Sequence, residues 1–261
     1  MAEKFQEDVR VLSQNELGDG IYDLVLQTKE IAKAARAGQF VSVYCQDSAK
    51  LLPRPISLCG IDKEKDTIRL VYRVAGKGTE EFSSLKEGDS IRILGPLGNG
   101  FPNVAKKALI IGGGIGVPPM LEFSKKLNQE SPEVEKTIVL GYRDAATFLL
   151  DEFCEQGEVL VATEDGSVGT KGNVLDAIRE QGVQADVIYA CGPTPMLRAI
   201  KEYATEKDIE CYISLEERMA CGIGACLACV CKTKEKDSHS NVNNKRICKE
   251  GPVFDAREVE I

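Results

Sequence analysis

The chain has 261 residues, 43% of them hydrophobic and 28% charged, with a formal net charge of −8. That length holds two compact domains and a small appendage in the ordinary composition of a globular protein. The acidic balance leaves no surplus of Lys and Arg for a phosphate backbone, so no nucleic-acid partner is expected. The most apolar run, Ala108 to Leu121, is broken by four glycines and two prolines and is too short to span a membrane. The first residues, Met-Ala-Glu-Lys-Phe-Gln, form no basic-then-apolar export segment, so a cytoplasmic location with reduced thiols is expected. His239 is the single histidine and sits in the polar stretch Lys-Asp-Ser-His-Ser-Asn, which leaves little room for histidine-based acid–base or nucleophilic chemistry.

From Val9 to about Phe101 the pattern is one of short apolar segments separated by turns: Ile21–Leu26, Gln39–Tyr44, Ile56–Cys59, Thr67–Val74 and Ser90–Leu94. Strands this short and closely spaced predict an antiparallel β-barrel over residues 1–102. Within it, Arg54-Pro55-Ile56-Ser57 puts a cation and a hydroxyl on either side of a stiff backbone. Val71-Tyr72-Arg73, followed by Gly78-Thr79, supplies an aromatic ring, a second cation and a glycine turn into a short helix, Glu80 to Leu85. Arginines and a helix N-terminus suit a pyrophosphate, and Ser57 suits a flavin ring nitrogen. Taken alone, arginines on strands are more often simply solvated.

The rhythm then changes to strand, glycine turn, helix. Ala108–Ile111 runs into Gly112-Gly113-Gly114-Ile-Gly116 and a helix from Pro118 to about Leu127, and Thr137–Tyr142, Val159–Ala162, Val187–Ala190 and Ile209–Ile213 follow as buried strands. This alternation predicts an α/β domain with a parallel sheet over residues 103–213. The glycine turn does not match G-x-G-x-x-G: counted from Gly112 the third glycine is Val117, and counted from Gly114 it is Pro119. A second turn, Cys191-Gly192-Pro193, ends another strand, so two strand ends offer small residues to a ligand on one edge. Cys191 there is either a small residue at a crowded strand end or a contact for a nicotinamide ring. Glu164-Asp165-Gly166-Ser167 either lines the same cleft or forms a plain turn.

The last segment, 214–261, carries Cys221-Gly-Ile-Gly-Ala-Cys226-Leu-Ala-Cys229 and, after a polar stretch from Lys232 to Lys245 expected as a solvated hairpin or disordered tip, Cys248. C-x4-C-x2-C with a distant fourth cysteine is the plant-type ligand spacing for a [2Fe-2S] cluster. Gly222, Gly224, Ala225 and Ala228 keep the loop wall thin, so that backbone N–H groups can reach the cluster sulfurs. Structural zinc would favour two C-x2-C knuckles, and only one is present. Cys231 is expected to be a bystander, and the other single cysteines to be small core residues.

Taken in order, Arg-Pro-Ile-Ser, Tyr-Arg-Val with Gly-Lys-Gly-Thr, Gly-Gly-Gly-Ile-Gly-Val-Pro-Pro-Met, Cys-Gly-Pro-Thr-Pro-Met and the cysteine loop resemble the ferredoxin reductase superfamily. The resemblance is most specific to the electron-transfer subunits of two-subunit, NAD-linked dihydroorotate dehydrogenases. It rests above all on Met-Ala-Cys-Gly-Ile-Gly-Ala-Cys and Cys-Lys-Glu-Gly-Pro-Val-Phe, and it runs from Phe5 to Phe254. The stretch between Cys229 and Cys248 is longer than expected for that family.

The resemblance implies a multi-domain chain with FAD on Arg54, Pro55, Ile56, Ser57, Val71, Tyr72, Arg73, Gly78 and Thr79. It implies NAD on Gly113, Gly114, Gly116, Cys191, Gly192 and Pro193, and the cluster on Cys221, Cys226, Cys229 and Cys248. It also implies a partner subunit carrying FMN, which oxidises dihydroorotate to orotate for pyrimidine biosynthesis, in a heterotetramer of two copies of each chain. The loop Gly222–Ala228, with Met219 beside it, is expected to expose an apolar patch toward that partner. Two alternatives stand beside this reading: an electron-transfer subunit serving a sulfide, hydrogen or transhydrogenase-type partner, and a redox sensor that binds nucleotide without turnover.

Overall fold

The computed structural model describes residues 3–104, 107–236 and 241–261, so His239 lies outside the described residues. It divides into two compact units: Met1–Gly100, Glu216–Val230 and Lys245–Pro252 in the first, and Phe101–Leu215, Cys231–Asn244 and Val253–Ile261 in the second. The cysteine-bearing tail contributes to both units.

In unit 1, β1 (Phe5–Gly18), β2 (Ile21–Gln27), β3 (Phe40–Val43), β4 (Arg54–Asp62), β5 (Thr67–Arg73) and β6 (Ser90–Leu97) close into a barrel in the order β1-β2-β5-β4-β3-β6. All six neighbouring pairs of the barrel are antiparallel. The barrel closes because alternate residues turn inward: Leu24 and Leu26 on β2, Ile68, Leu70 and Tyr72 on β5, and Ile91 and Ile93 on β6 are each 2% exposed or less. Helix α1 (Lys29–Ala34) adds Ile31 to this core, and α2 (Lys77–Phe82) adds Phe82. The apolar pattern does not single out β1, because only Val9 and Val11 of its 14 residues are buried. Helix α2 begins three residues earlier than the sequence pattern suggests. Its first turn is held from inside by Thr79 Oγ1, which accepts from Ala75 N at 2.9 Å and Gly76 N at 3.2 Å.

Unit 2 contains β7 (Ala108–Gly113), β8 (Lys136–Tyr142), β9 (Glu158–Thr163), β10 (Thr170–Lys171), β11 (Val187–Cys191) and β12 (Glu210–Ser214), with helices α3 (Val117–Glu130), α4 (Leu150–Cys154), α5 (Val174–Glu180) and α6 (Thr194–Lys207). The tail supplies β13 (Val230–Thr233), β14 (Asn244–Arg246), β15 (Val253–Asp255) and β16 (Val259–Glu260). The main sheet runs β10-β9-β8-β7-β11-β12-β15, parallel from β10 to β12 with β15 antiparallel at the edge. Every residue of β7 and β11 is buried, as expected for parallel strands covered on both faces. The order reverses between these two strands, so their carboxyl ends diverge into the crevice where ligands bind in open α/β sheets. Below it, Tyr189 packs against Phe123 and Phe101, with ring centroids 4.6 and 5.9 Å away. The described ends of the polar stretch are hydrogen-bonded as in a hairpin, with Thr233 N donating to Asn243 O at 3.1 Å. No helix among the described residues is long and apolar enough to cross a membrane.

Tyr72 illustrates how the barrel core is tied together: its hydroxyl donates to Gln14 Oε1 at 3.0 Å, and its ring stands edge-on to Phe82 at 6.2 Å. Tyr72→Phe is expected to destabilise the protein by about 1 kcal/mol through that lost hydrogen bond while leaving flavin content unchanged. Urea midpoints and the visible absorbance of the two purified proteins check this together.

Candidate cofactor sites

The strand period decides which flavin-site candidates face outward. On β4, Ile56 packs against the barrel core, whereas Pro55 and Ser57, opposite Ser42 and Phe40 of β3, take the outer face. On β5, Tyr72 belongs to the core, which places Val71 and Arg73 outside. Burial raises the Tyr72 hydroxyl far above its usual pKa. The Ile56 and Tyr72 side chains thus point away from any ligand on the outer face, and these two positions offer it only backbone. Arg54 opens β4, and its guanidinium lies against Gly78. A Cβ at residue 78 would stand 2.0 Å from Arg54 Nε and 2.3 Å from Cζ, so a side chain there would push the guanidinium aside. A fixed cation beside an open backbone is a fitting cradle for a pyrophosphate.

In unit 2 the two glycine turns meet at the divergence of β7 and β11, with Cys191 directly opposite Gly112 in the parallel register. A Cβ on Gly116 would lie 2.4 Å from the Cys191 carbonyl oxygen and 2.5 Å from Gly192 N. The imperfect glycine fingerprint is thereby explained. The glycine demanded here serves close packing of one turn on the other, and Pro118 and Pro119 open α3 where an N–H has no helical partner. Sequence reasoning missed Met196, whose thioether covers both turns: a Cβ on Gly113 would lie 2.3 Å from Met196 Sδ, and one on Gly192 2.3 Å from Cε. Its place two residues into α6, just after Cys191-Gly192-Pro193, is the signal that could have found it. Glu164–Ser167 is a self-closed turn in which Asp165 Oδ1 accepts from Ser167 N at 2.9 Å and Ser167 Oγ at 2.7 Å.

The cysteine loop folds onto unit 1. Gly222 and Gly224 have φ of +66° and +85°, and a Cβ on Gly222 would stand 2.9 Å from Ser42 Oγ and 3.1 Å from Leu97 Cδ1. The loop needs glycine there on both steric and conformational grounds. Arg246, which the sequence reading passed over, anchors it: Nη1 donates to Gly224 O at 3.0 Å, while Nε donates to Glu250 Oε2 at 3.0 Å. The i, i+4 spacing of Arg246 and Glu250 was its only trace in the sequence. Asn99 fastens the segment after Cys248 to the end of β6, its amide donating to Lys249 O and Glu250 O at 3.2 and 2.8 Å.

The four thiols gather as two pairs, Cys221 with Cys226 and Cys229 with Cys248, each pair in hydrogen-bonding contact. Among the described residues, no group of three or more Cys, His, Asp or Glu side chains is arranged to hold a single metal ion. Two facing pairs suit two irons with two thiolates each. Partial burial disfavours the Cys221 thiolate. The N–H groups of Ile223, Cys226 and Ala225, together with the Cys226 thiol, outweigh it and bring Cys221 down to about 6. Ala225 N and Cys226 N reach its sulfur at 3.3 and 3.4 Å. Burial pushes Cys248 up, reinforced by Cys229. Cys229 and Cys248 are 2% and 1% exposed, whereas Cys226 is at the surface beside Ile223, Leu227 and Val230, which are 45%, 58% and 37% exposed. Met219, expected in this patch, is instead buried at 6%.

A barrel with an arginine cradle, a parallel sheet with paired turns at its switch point, and a four-cysteine loop define a ferredoxin reductase-like flavoprotein with an iron–sulfur segment. Family models agree: an oxidoreductase FAD-binding domain matches residues 8–101, an oxidoreductase NAD-binding domain residues 110–202, and the iron-sulfur cluster binding domain of dihydroorotate dehydrogenase B residues 216–260. The chain is 45% identical over 261 residues to the electron transfer subunit of dihydroorotate dehydrogenase B (NAD(+)) from Listeria monocytogenes, covering 98% of this chain and 99% of that protein. It is 43% identical over 259 residues to the Bacillus cereus subunit of the same name, covering 97% and 98%. Among solved structures it resembles an NADH-dependent reduced ferredoxin-NADP oxidoreductase studied for flavin-based electron bifurcation, with a TM-score of 0.87 and 30% identity over 97% of this chain and 90% of that one. An Amycolatopsis cytochrome P450 reductase shares the fold, with a TM-score of 0.69 at 20% identity over 79% of this chain and 67% of that one. The chain belongs to the family of dihydroorotate dehydrogenase B electron transfer subunits.

Arg54→Ala is expected to weaken FAD binding about tenfold to hundredfold, the loss of a hydrogen bond to a charged group worth about 1.5–3 kcal/mol. Gly78→Ala should weaken it in the same direction by displacing the guanidinium while keeping its charge. Titration of apoprotein with FAD measures both.

Proposed function

We propose that this chain is the electron transfer subunit of an NAD-linked dihydroorotate dehydrogenase, relaying electrons between NAD and a partner subunit that carries FMN and oxidises dihydroorotate to orotate. The observation that carries the reading is the combination, in one chain matched nearly end to end by its relatives, of a flavin barrel, a nucleotide sheet and the four-cysteine loop. A nicotinamide exchanges two electrons at once and an iron–sulfur cluster one, and a bound flavin supplies the step between them. The relatives' identity of 43–45% favours dihydroorotate as the partner's substrate over the ferredoxin-linked system that shares 30%.

In this assignment residues 1–102 form the FAD domain, 103–213 the NAD domain and 214–261 the cluster domain. Arg54 neutralises the FAD pyrophosphate, held in place by the bare backbone of Gly78. Pro55, Ser57, Val71 and Arg73 line the outer face, and Thr79 fixes the turn that presents Gly78. Ile56 and Tyr72 hold these neighbours in register from the core side. In unit 2, Gly113, Gly114 and Gly116 bring backbone close to the NAD diphosphate, and Cys191, Gly192 and Pro193 form the facing wall. Cys221, Cys226, Cys229 and Cys248 hold the [2Fe-2S] cluster, with the N–H groups of Ala225 and Cys226 directed at its ligand sulfur. The complex is a cytoplasmic heterotetramer of two copies of each chain, in which Ile223, Leu227 and Val230 contact the FMN subunit.

Cys226→Ser is expected to lose the iron while keeping FAD and most NADH-to-dye turnover, because the barrel core contains no residue of the loop. Iron analysis with a dye assay checks it, and full iron content would overturn the ligand set. Leu227→Glu is expected to retain iron and dye turnover but to lose co-purification with the FMN subunit, since an unpaired carboxylate buried at an interface costs several kcal/mol. Undiminished co-purification would place the docking surface elsewhere.

A further inference from the structure

Among the described residues, two buried side-chain polar atoms lack a hydrogen-bond partner, Ser42 Oγ and Ser124 Oγ. Ser124 lies mid-helix on α3, where a hydroxyl can turn to the carbonyl four residues back. Ser42 has no such recourse. It stands on β3 with its neighbours Val41 and Val43 in the barrel core, so its own side chain takes the outer face, and it is 0% exposed. In register it lies between Pro55 on β4 and Leu94 on β6, and its oxygen is 2.9 Å from where a Cβ on Gly222 would be. The hydroxyl is thus enclosed between the first strand residues of the flavin site and the residue that follows Cys221.

A hydroxyl buried without a partner is destabilising, and alanine would fill β3 without that cost. The loop pressed onto Ser42 sets Gly222, the residue that follows Cys221, against this hydroxyl. We propose that Ser42 is a positioning residue for the iron–sulfur group, its hydroxyl donating a hydrogen bond to a sulfur of the group held by Cys221. The proposal rests on Cys221, Cys226, Cys229 and Cys248 being the ligands. A donor to a cluster sulfur stabilises the more negative, reduced state over the oxidised one, so it raises the reduction potential. Ser42, opposite Pro55 in the strand pairing, would then tune the potential at which the iron–sulfur group held by the loop accepts an electron.

The test uses the complex purified with its FMN subunit, as wild type, Ser42→Ala and Ser42→Cys. Iron and FAD contents are measured, the reduced cluster is followed by electron paramagnetic resonance in a redox titration, and its Fe–S vibrations are compared in H2O and D2O. Ser42→Ala is expected to keep iron and FAD, to shift the cluster midpoint to a more negative value, and to lose a deuterium-sensitive Fe–S stretch. Ser42→Cys, with a weaker donor of similar size, is expected to fall between. If Ser42→Ala cannot hold iron, the Ser42→Cys midpoint decides in its place. A variant midpoint and deuterium sensitivity equal to wild type would overturn this proposal alone. A wild-type complex with neither iron nor the signal would overturn the ligand assignment, and this proposal with it.

Discussion

Close approach of bare backbone is the constraint on which all three candidate sites depend. At Gly78 the space a Cβ would take is filled by the Arg54 guanidinium, at Gly116 by the Cys191 carbonyl, and at Gly222 by Ser42 and Leu97. In each case the missing side chain lets specific neighbours come into contact, and those contacts then fix the turn. A cofactor held through N–H groups needs such turns, because the donors are short and cannot reach around a side chain. The same constraint explains why the nucleotide turn departs from the usual glycine spacing. What has to be small is the residue facing the second turn, and Gly116 meets that need.

The parts of this architecture that were legible in the sequence are those set by local chemistry. Four cysteines at metal-ligand spacing, glycines at strand ends and buried parallel strands all leave a pattern in a few neighbouring residues. The barrel was readable from its apolar strands, but β1 was not, because its partners β2 and β6 supply most of the inward side chains it needs. Within Arg-Pro-Ile-Ser and Val-Tyr-Arg the strand period sends the Ile56 and Tyr72 side chains toward the core, a distinction that residue types alone do not make. Met196, Arg246 and Ser42 were passed over for a different reason. Each acts on a turn distant in sequence or presents a group that has meaning only once the chain has folded over it.

The cysteine loop is held asymmetrically. Its inner pair, Cys229 and Cys248, is buried, and the adjoining chain is clamped by Asn99 and by the Arg246–Glu250 pair. In its outer pair the Cys221 sulfur accepts from the N–H groups of Ala225 and Cys226, so backbone dipoles help to offset the negative charge there.

Leu227 carries this argument one step further. It has φ of +58°, a left-handed conformation that costs a residue with a Cβ about 1–2 kcal/mol, and its side chain is 58% exposed. Both costs would vanish with glycine, which the loop already uses at residues 222 and 224. The contact proposed with the FMN subunit would account for a leucine that is strained in its backbone and unburied in its side chain. Burying such a side chain returns about 1.5–3 kcal/mol, enough to offset the backbone term. Its place in sequence, immediately after Cys226, would put the proposed contact beside the outer pair of thiols, so that docking and electron exchange would share the same few residues.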